Sequence, residues 1–463
     1  WSRWHVMVVI ALGVTWVLDG LEVTLAGAVG AALKDPKALH LTDAQVGWSA
    51  SWYLAGAVVG ALVFGYGTDR FGRKRLFFVT LALYVAATGA TAFSWSATSY
   101  FIFRALTGAG IGGEYAAINS AIDELIPARI RGHVDLAINS TFWVGAALGS
   151  GVTMFLLNPA HLPASTGWRF SYGLGAVLGL GILFLRHWVP ESPRWLMIHG
   201  RKAEADQIVD DIERNASHGH DAPPHEHRVT EIHPRRHTPL KEILHTMLIE
   251  HRQRSLLGFA LMVAQAFFYN AVGFFTYALI LSRFYGIEPS HVSQHLLFFA
   301  LGNILGPILL GRLFDVVGRK PMIIVTYAAS GIMLAITGYL FKRGVLTATT
   351  QSIAWSAIFF VASCAASAAY LTVSEIFPLE LRAMAIAIFY AIGTLVGGVA
   401  APALFGHLIQ TGSRQLMFYG YLAAAGLMVL AAGAEMIWGV KAERLSLEEI
   451  APPLSSARAK TTA

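Results

Sequence analysis

Charge is scarce in this chain. Asp, Glu, Lys and Arg make up 13% of its 463 residues, where a soluble globular protein carries about 25%. Most of its surface must therefore face something other than water. Cysteine is nearly absent: the single Cys364 lies in an apolar run and excludes a disulfide framework. The apolar segments hold no phosphate-binding glycine loop, no nucleophile paired with a base and no ligand set with metal spacing. No enzyme chemistry, cofactor or metal is expected. An initiating Met is missing too, since the chain starts at Trp1. The N-terminus is read as trimmed, and no cleavable signal peptide is visible. The formal charge of +6 and pI near 9.3 would suit nucleic acid, but the cations cluster in short stretches between apolar segments. That distribution sets membrane topology, so the expected partner is a lipid bilayer and not a nucleic acid.

What is abundant is apolar length. Hydrophobic residues make up 55% of the chain and mean hydropathy is +0.55. Stretches long enough to cross a ~30 Å hydrocarbon core fall at 6–32, 46–68, 76–96, 99–123, 133–157 and 170–189. After a polar break they resume at 255–282, 291–311, 321–341, 352–375, 385–408 and 415–439. The expected fold is an all-α membrane protein of 12 transmembrane helices in two six-helix halves, 1–193 and 255–440. A polar, His-rich linker (194–254) joins the halves, with a short amphipathic helix expected at "AEADQIVDDIE", and 441–463 forms a tail. With Trp1 inside, the short inner loops carry ten Lys and Arg and the outer loops seven. The linker adds ten inside and the tail four. Both termini are therefore expected on the cytoplasmic side of an inner, or plasma, membrane.

The halves also repeat. "GYGTDRFGRKRLF" (65–77) aligns without gaps to "GRLFDVVGRKPMI" (311–323), placing Asp69 on Asp315 and Arg73 on Arg319. "ELIPARIRG" (124–132) aligns to "EIFPLELRA" (375–383), placing Glu124 on Glu375 and Arg131 on Arg382. Two parallel halves joined by a linker are the architecture of a large transporter class, with substrate held near the midplane between them.

These residues resemble the major facilitator superfamily over essentially the whole chain. The loop Gly65-x-x-x-Asp69-Arg70-x-Gly72-Arg73-Lys74 is similar to its signature, and "RALTGAGIGGE" (104–114) to its fourth-helix motif. "PESPRWL" (190–196) and the Glu124/Glu375 motifs resemble its sugar-porter, organic-ion and synaptic-vesicle-like branch. The resemblance implies a monomeric secondary transporter working by alternating access on a small-molecule substrate. It implies that Asp69 meets the positive N-terminus of the eleventh span, near Ala385, with Arg129, Arg131 or Arg382 available to pair with it. Asp69, Arg73, Glu124, Arg129, Arg131, Asp315, Arg319, Glu375 and Arg382 would then form an inner gate. Two departures narrow the substrate. "QAFFYN" keeps Gln265 and Asn270 but lacks the paired Gln and the Gly of hexose porters, and "GAALGSGVT" (145–153) lacks the proline of drug antiporters.

Inside the spans, Gly108 and Gly112 form a GxxxG pair that lets the fourth helix pack closely. The candidates for substrate contact are Arg104, Glu114, Asn119, Trp143, Gln265, Asn270, Tyr277 and Tyr390. Arg104 has the alternative of snorkelling to headgroups, and Glu114 that of a structural hydrogen bond. Glu435, near the inner leaflet, is read as reaching water. His218, His220, His225, His227, His233, His237, His245 and His251 crowd the linker without a ligand pattern.

The sharpest feature is "VTWVLDGLEVTLAGAVG" (14–30). Asp19 sits at mid-depth of the first span and Glu22 about 4.5 Å further along, on the same face. Two carboxylates so close in a low dielectric cannot both stay ionised cheaply, and a carboxylate that takes up and releases a proton is what proton coupling needs. Asp19, the deeper one, is read as the main carrier and Glu22 as its modulator. The alternatives are an ion pair with Arg104, or direct binding of a cationic substrate. The expected activity is proton symport of a small organic metabolite, an organic acid ahead of a sugar. An organic-cation facilitator and a non-transporting receptor remain as alternatives.

Overall fold

The computed structural model describes residues 2–158, 160–185, 189–216, 238–273, 276–287 and 289–456. No β-strand forms among them. The first six long helices are α1 (Arg3–Ala28), α2 (Asp43–Phe71), α3 (Arg73–Ala92), α4 (Ala97–Leu125), α5 (Arg131–Leu156) and α6 (Ala164–Leu185). The next six begin with α7, in two pieces (Arg252–Val272 and Tyr277–Tyr285), followed by α8 (Pro289–Val316), α9 (Arg319–Lys342) and α10 (Ala348–Glu375). Then α11 runs Arg382–Gly393, a π-helical stretch Thr394–Ala400 and Ala401–Gln410, and α12 is Arg414–Trp438. Pro402 supplies no N–H to the helix ladder, and the chain widens into π turns just ahead of it.

Among the described residues, ten spans are long and apolar enough to cross a bilayer on their own. The sequence read α4 and α5 as apolar spans too, but they fall outside that set. They carry Arg104, Glu114, Asp123 and Glu124, and Arg131 and Asp135. Those charges are tolerated because nearly all of them are buried in protein rather than in lipid.

One face of the bundle, here the linker face, carries the short helices Pro193–Ile198 and Lys202–Ala216. The second of these covers the expected amphipathic stretch, with Ala205 buried and Ile212 packed on the cluster around Val8 of α1. His218 to His237 of the linker lie outside the described residues. On the opposite, far face, α2, α4 and α10 start with capping boxes at Thr42, Ser96 and Thr347. On the linker face, α2 turns into α3 through Gly72 alone (φ +90°), and α8 turns towards α9 through Gly318 (φ +116°). Only glycine takes that backbone conformation without strain.

Close packing within the first half rests on small residues. A Cβ on Gly108 or Gly112 would fall about 2.0 Å from the Tyr53 or Ala57 carbonyl of α2, so the GxxxG reading holds. Glycines Gly20 of α1 and Gly145 of α5 meet backbone to backbone in the same way. The halves meet where α2 lies against α11 and α5 against α8.

Candidate functional site

A cavity of about 420 Å³ lies between the halves. Its rim is formed by Ala26 and Gly27 at the far-face end of α1 and Val46, Gly47 and Ala50 at the far-face start of α2. Aromatic rings lie deeper. Tyr115 of α4 stacks on Tyr390 of α11 (centroids 4.6 Å, planes 24° apart) and on Tyr370 of α10 (6.0 Å, 27°), with Trp16 of α1 edge-on at 4.7 Å. Both halves thus contribute to one ring cluster. Uncharged polar groups complete the wall: Asn139, Ser140, Gln265, Asn270, and Tyr269, whose hydroxyl donates to Asn303 Oδ1 at 2.7 Å.

Arg104 lines this cavity and is ion-paired to Glu22; the two side chains are 3% and 0% exposed. Its guanidinium lies over the Tyr53 ring at 4.6 Å and near the Tyr172 ring at 5.6 Å. Snorkelling is therefore not its role, and the ion-pair alternative for the acidic motif applies to Glu22. Asp19 is buried behind the lining, with Tyr53, Tyr115 and Tyr390 close enough to feel its charge.

Of the candidates for substrate contact, Arg104, Trp143, Gln265, Asn270 and Tyr390 line the cavity, and three do not. Tyr277 donates to His295 O at 2.7 Å and packs on Phe299 and Trp355, inside the second half. Asn119 turns back on its own helix, donating to Tyr115 O at 2.8 Å. Glu114 is buried beside Tyr84. Glu435 does not reach water either, being 0% exposed. Tyr115, Tyr370, Asn139 and Asn303 were not singled out, although a lone Asn in an otherwise apolar span marks Asn303 and the Asn139-Ser140 pair.

Below the cavity the linker face is closed. Asp69 at the end of α2 accepts from Ala383 N (3.3 Å) and Met384 N (2.9 Å), the first amides of α11. Its repeat, Asp315 at the end of α8, accepts from Gly132 N (3.0 Å) and His133 N (2.7 Å), the first amides of α5. Each half thus offers a carboxylate to a positive helix end of the other. Between them, Glu375 binds Arg131 across the halves and Arg319 within its own, both at 3.1 Å. Glu124 binds Arg73 at 3.3 Å and faces Arg382 across the halves at 3.9 Å. The arginines expected on Asp69 are elsewhere: Arg131 and Arg382 go to the two glutamates, and Arg129 is exposed. "PESPRWL" serves the same face. Glu191 caps the start of α3 through Arg73 N at 3.0 Å, Ser192 donates to Glu124, and Trp195 Nε1 donates to Asp69 O at 2.9 Å.

A two-half helical bundle with one central cavity, open at one face and latched at the other, defines a membrane transporter rather than an enzyme. The chain belongs to the family described as "Sugar (and other) transporter", which matches residues 21–453. It is 26% identical over 447 residues to the niacin transporter NiaP of Acinetobacter baylyi, covering 94% of this chain and 95% of that one. To the D-xylose transporter of Levilactobacillus brevis it is 25% identical over 449 residues, covering 93% and 92%. Among solved structures, the major facilitator proton:xylose symporter XylE superposes with a TM-score of 0.76 over 96% of this chain and 98% of that one, at 21% identity. The fold is thus that of the major facilitator superfamily.

Proposed function

We propose that the protein takes up a small organic acid together with protons, by alternating access across the plasma membrane, with the linker face cytoplasmic. The observation that carries this reading is the buried Glu22–Arg104 pair on the cavity wall. While Glu22 is ionised it occupies Arg104. A proton arriving through the far-face opening neutralises Glu22 and releases the guanidinium to hold a substrate carboxylate. An unpaired buried arginine is costly, so loading proton and substrate together is favoured over loading either alone. When the linker face opens, water restores the Glu22 charge, the pair reforms and the acid leaves. This moves the leading role from Asp19 to Glu22, with Asp19 as the neighbouring charge.

The ring cluster of Trp16, Tyr115, Tyr370 and Tyr390 favours a planar substrate, and the niacin transporter among the relatives carries an acid of that shape. A sugar–proton symporter is the second reading. Gln265, Asn270, Asn139 and Asn303 suit hydroxyl groups, and a D-xylose transporter and a proton:xylose symporter are among the similar proteins. The test is uptake into proteoliposomes with an imposed pH gradient, comparing niacin with xylose. Accumulation of niacin that a protonophore abolishes and Glu22→Gln removes is the expected result. Accumulation of xylose alone selects the second reading, and uptake indifferent to the proton gradient rejects both.

A further inference from the structure

Asp135 is a buried carboxylate that neither the cavity nor the gate pairs employ. It lies one turn into α5, is 1% exposed, and forms no ion pair among the described residues. One oxygen receives the Asn139 amide at 3.2 Å; the other is buried without a hydrogen bond. Asn139 lines the cavity, so Asp135 sits directly beneath the cavity floor and above the gate. The charges facing it are Asp123 from α4, Glu375 from α10 and Arg319 from α9. Arg319 is already engaged by Asp315 and Glu375. Asp123 is equally buried, and Arg131, Arg382 and Glu375 are the charges around it. It too makes no ion pair among the described residues, and the neighbouring Ser374 spends its hydroxyl proton on Leu371 O.

We propose that Asp135 is a proton-binding site of the gate, separate from Glu22, that holds a proton while the linker face is closed and releases it when that face opens. In the dry, closed gate an ionised Asp135 would face two further carboxylates with no cation of its own, which the neutral acid avoids. Opening admits water, the acid gives its proton to it, and a carboxylate and a hydronium ion result. Reclosing takes the proton back. The closed state is therefore the proton-bound one, so acid on the linker side favours it and alkali favours opening. The proposal does not depend on which substrate the cavity takes.

The test measures spin–spin distances between labels at Arg129→Cys and Arg312→Cys, exposed positions on the linker face of the two halves, in a Cys364→Ser background without substrate. In the otherwise unchanged chain the closed-to-open ratio falls with rising pH, by up to about tenfold per unit across the transition. Asp135→Asn, permanently neutral, stays closed throughout. Asp123→Asn removes a repelling charge, so the closed gate tolerates an ionised Asp135 better and the fall of the closed-to-open ratio with pH becomes smaller. A pH response that survives in Asp135→Asn overturns the proposal. So does a distance distribution that ignores pH in the unsubstituted gate. If Asp135→Asn does not fold, an undiminished pH response in Asp123→Asn overturns it equally.

Discussion

The two copies of the gate motif share their Asp, Glu and Arg residues and differ in wiring. In the second half, Asp315 is held by Gly132 and His133 amides at 3.0 and 2.7 Å and by Arg319 at 2.8 Å. In the first half, Asp69 meets Ala383 and Met384 amides at 3.3 and 2.9 Å, and its own Arg73 turns away to Glu124 and Ser120 O. Across the halves, Arg131 reaches Glu375 at 3.1 Å, where Arg382 stands 3.9 Å from Glu124. One substitution between the repeats accounts for much of this. Gly132 aligns with Ala383, and a Cβ at Gly132 would lie 1.9 Å from Arg319 Nη1 and 2.8 Å from Asp315 Oδ1. Glycine lets the helix end and the ion pair close together, whereas alanine holds them apart. A duplicated motif thus yields one tight and one looser latch.

The largest effect is expected at Glu375. Glu375→Gln leaves Arg131 buried without its counter-charge and Arg319 with Asp315 alone, at a cost of about 3–5 kcal/mol to the closed state. Transport should fall sharply and the melting temperature drop, while Glu124→Gln does less because Arg382 is already distant. Equal losses would break the comparison.

Gly132→Ala comes next, overpacking the tight latch by about 1–3 kcal/mol. The reverse change, Ala383→Gly, should be tolerated with little loss of melting temperature. If both proved neutral, the alanine–glycine difference would not explain the wiring.

Asp315→Asn should then impair linker-face closure more than Asp69→Asn. The latter gives up only helix-terminus attraction, about 1–2 kcal/mol. Both should lower transport while leaving substrate binding in detergent near the wild-type value. A larger defect for Asp69→Asn, read as linker-face accessibility to a thiol reagent, would reverse the ranking.

The smallest effect belongs to a pair outside the spans. Arg194 of the linker binds Glu448 of the tail at 2.5 Å, with the two side chains 31% and 29% exposed. Burial pushes the Glu448 carboxyl up, and Arg194 more than offsets this, holding it below the usual carboxylate range. A carboxylate lowered on folding stabilises the fold above its unfolded value and ceases to as pH falls, here below about pH 4. Glu448→Gln should lower stability at pH 7 by about 0–1 kcal/mol, and by less at acid pH. An effect that grew on acidification would contradict this assignment.

Apolar runs, their lengths and the two gapless alignments determined the six-and-six helical plan, because burial in lipid demands about twenty apolar residues per crossing whatever the neighbours are. That Asp69 meets the start of α11 was implied by the resemblance of its motif and not by the runs; in the packed structure its carboxylate accepts from two amides there. What the runs left open was rotation. A period of 3.6 places Asp19 and Glu22 on one face of α1 and Arg104 on one face of α4, but which faces meet depends on how Gly20 and Gly145, or Gly108 and Tyr53, allow helices to approach. Only the packed structure joined Glu22 to Arg104, 82 residues away, and left Tyr277, Asn119 and Glu114 outside the cavity lining. It also sent Arg131 and Arg382 past Asp69 to the glutamates of the opposite half. The reason is that helix formation is local, whereas the partner of a buried charge is chosen by whichever counter-charge the close-packed interface brings within reach.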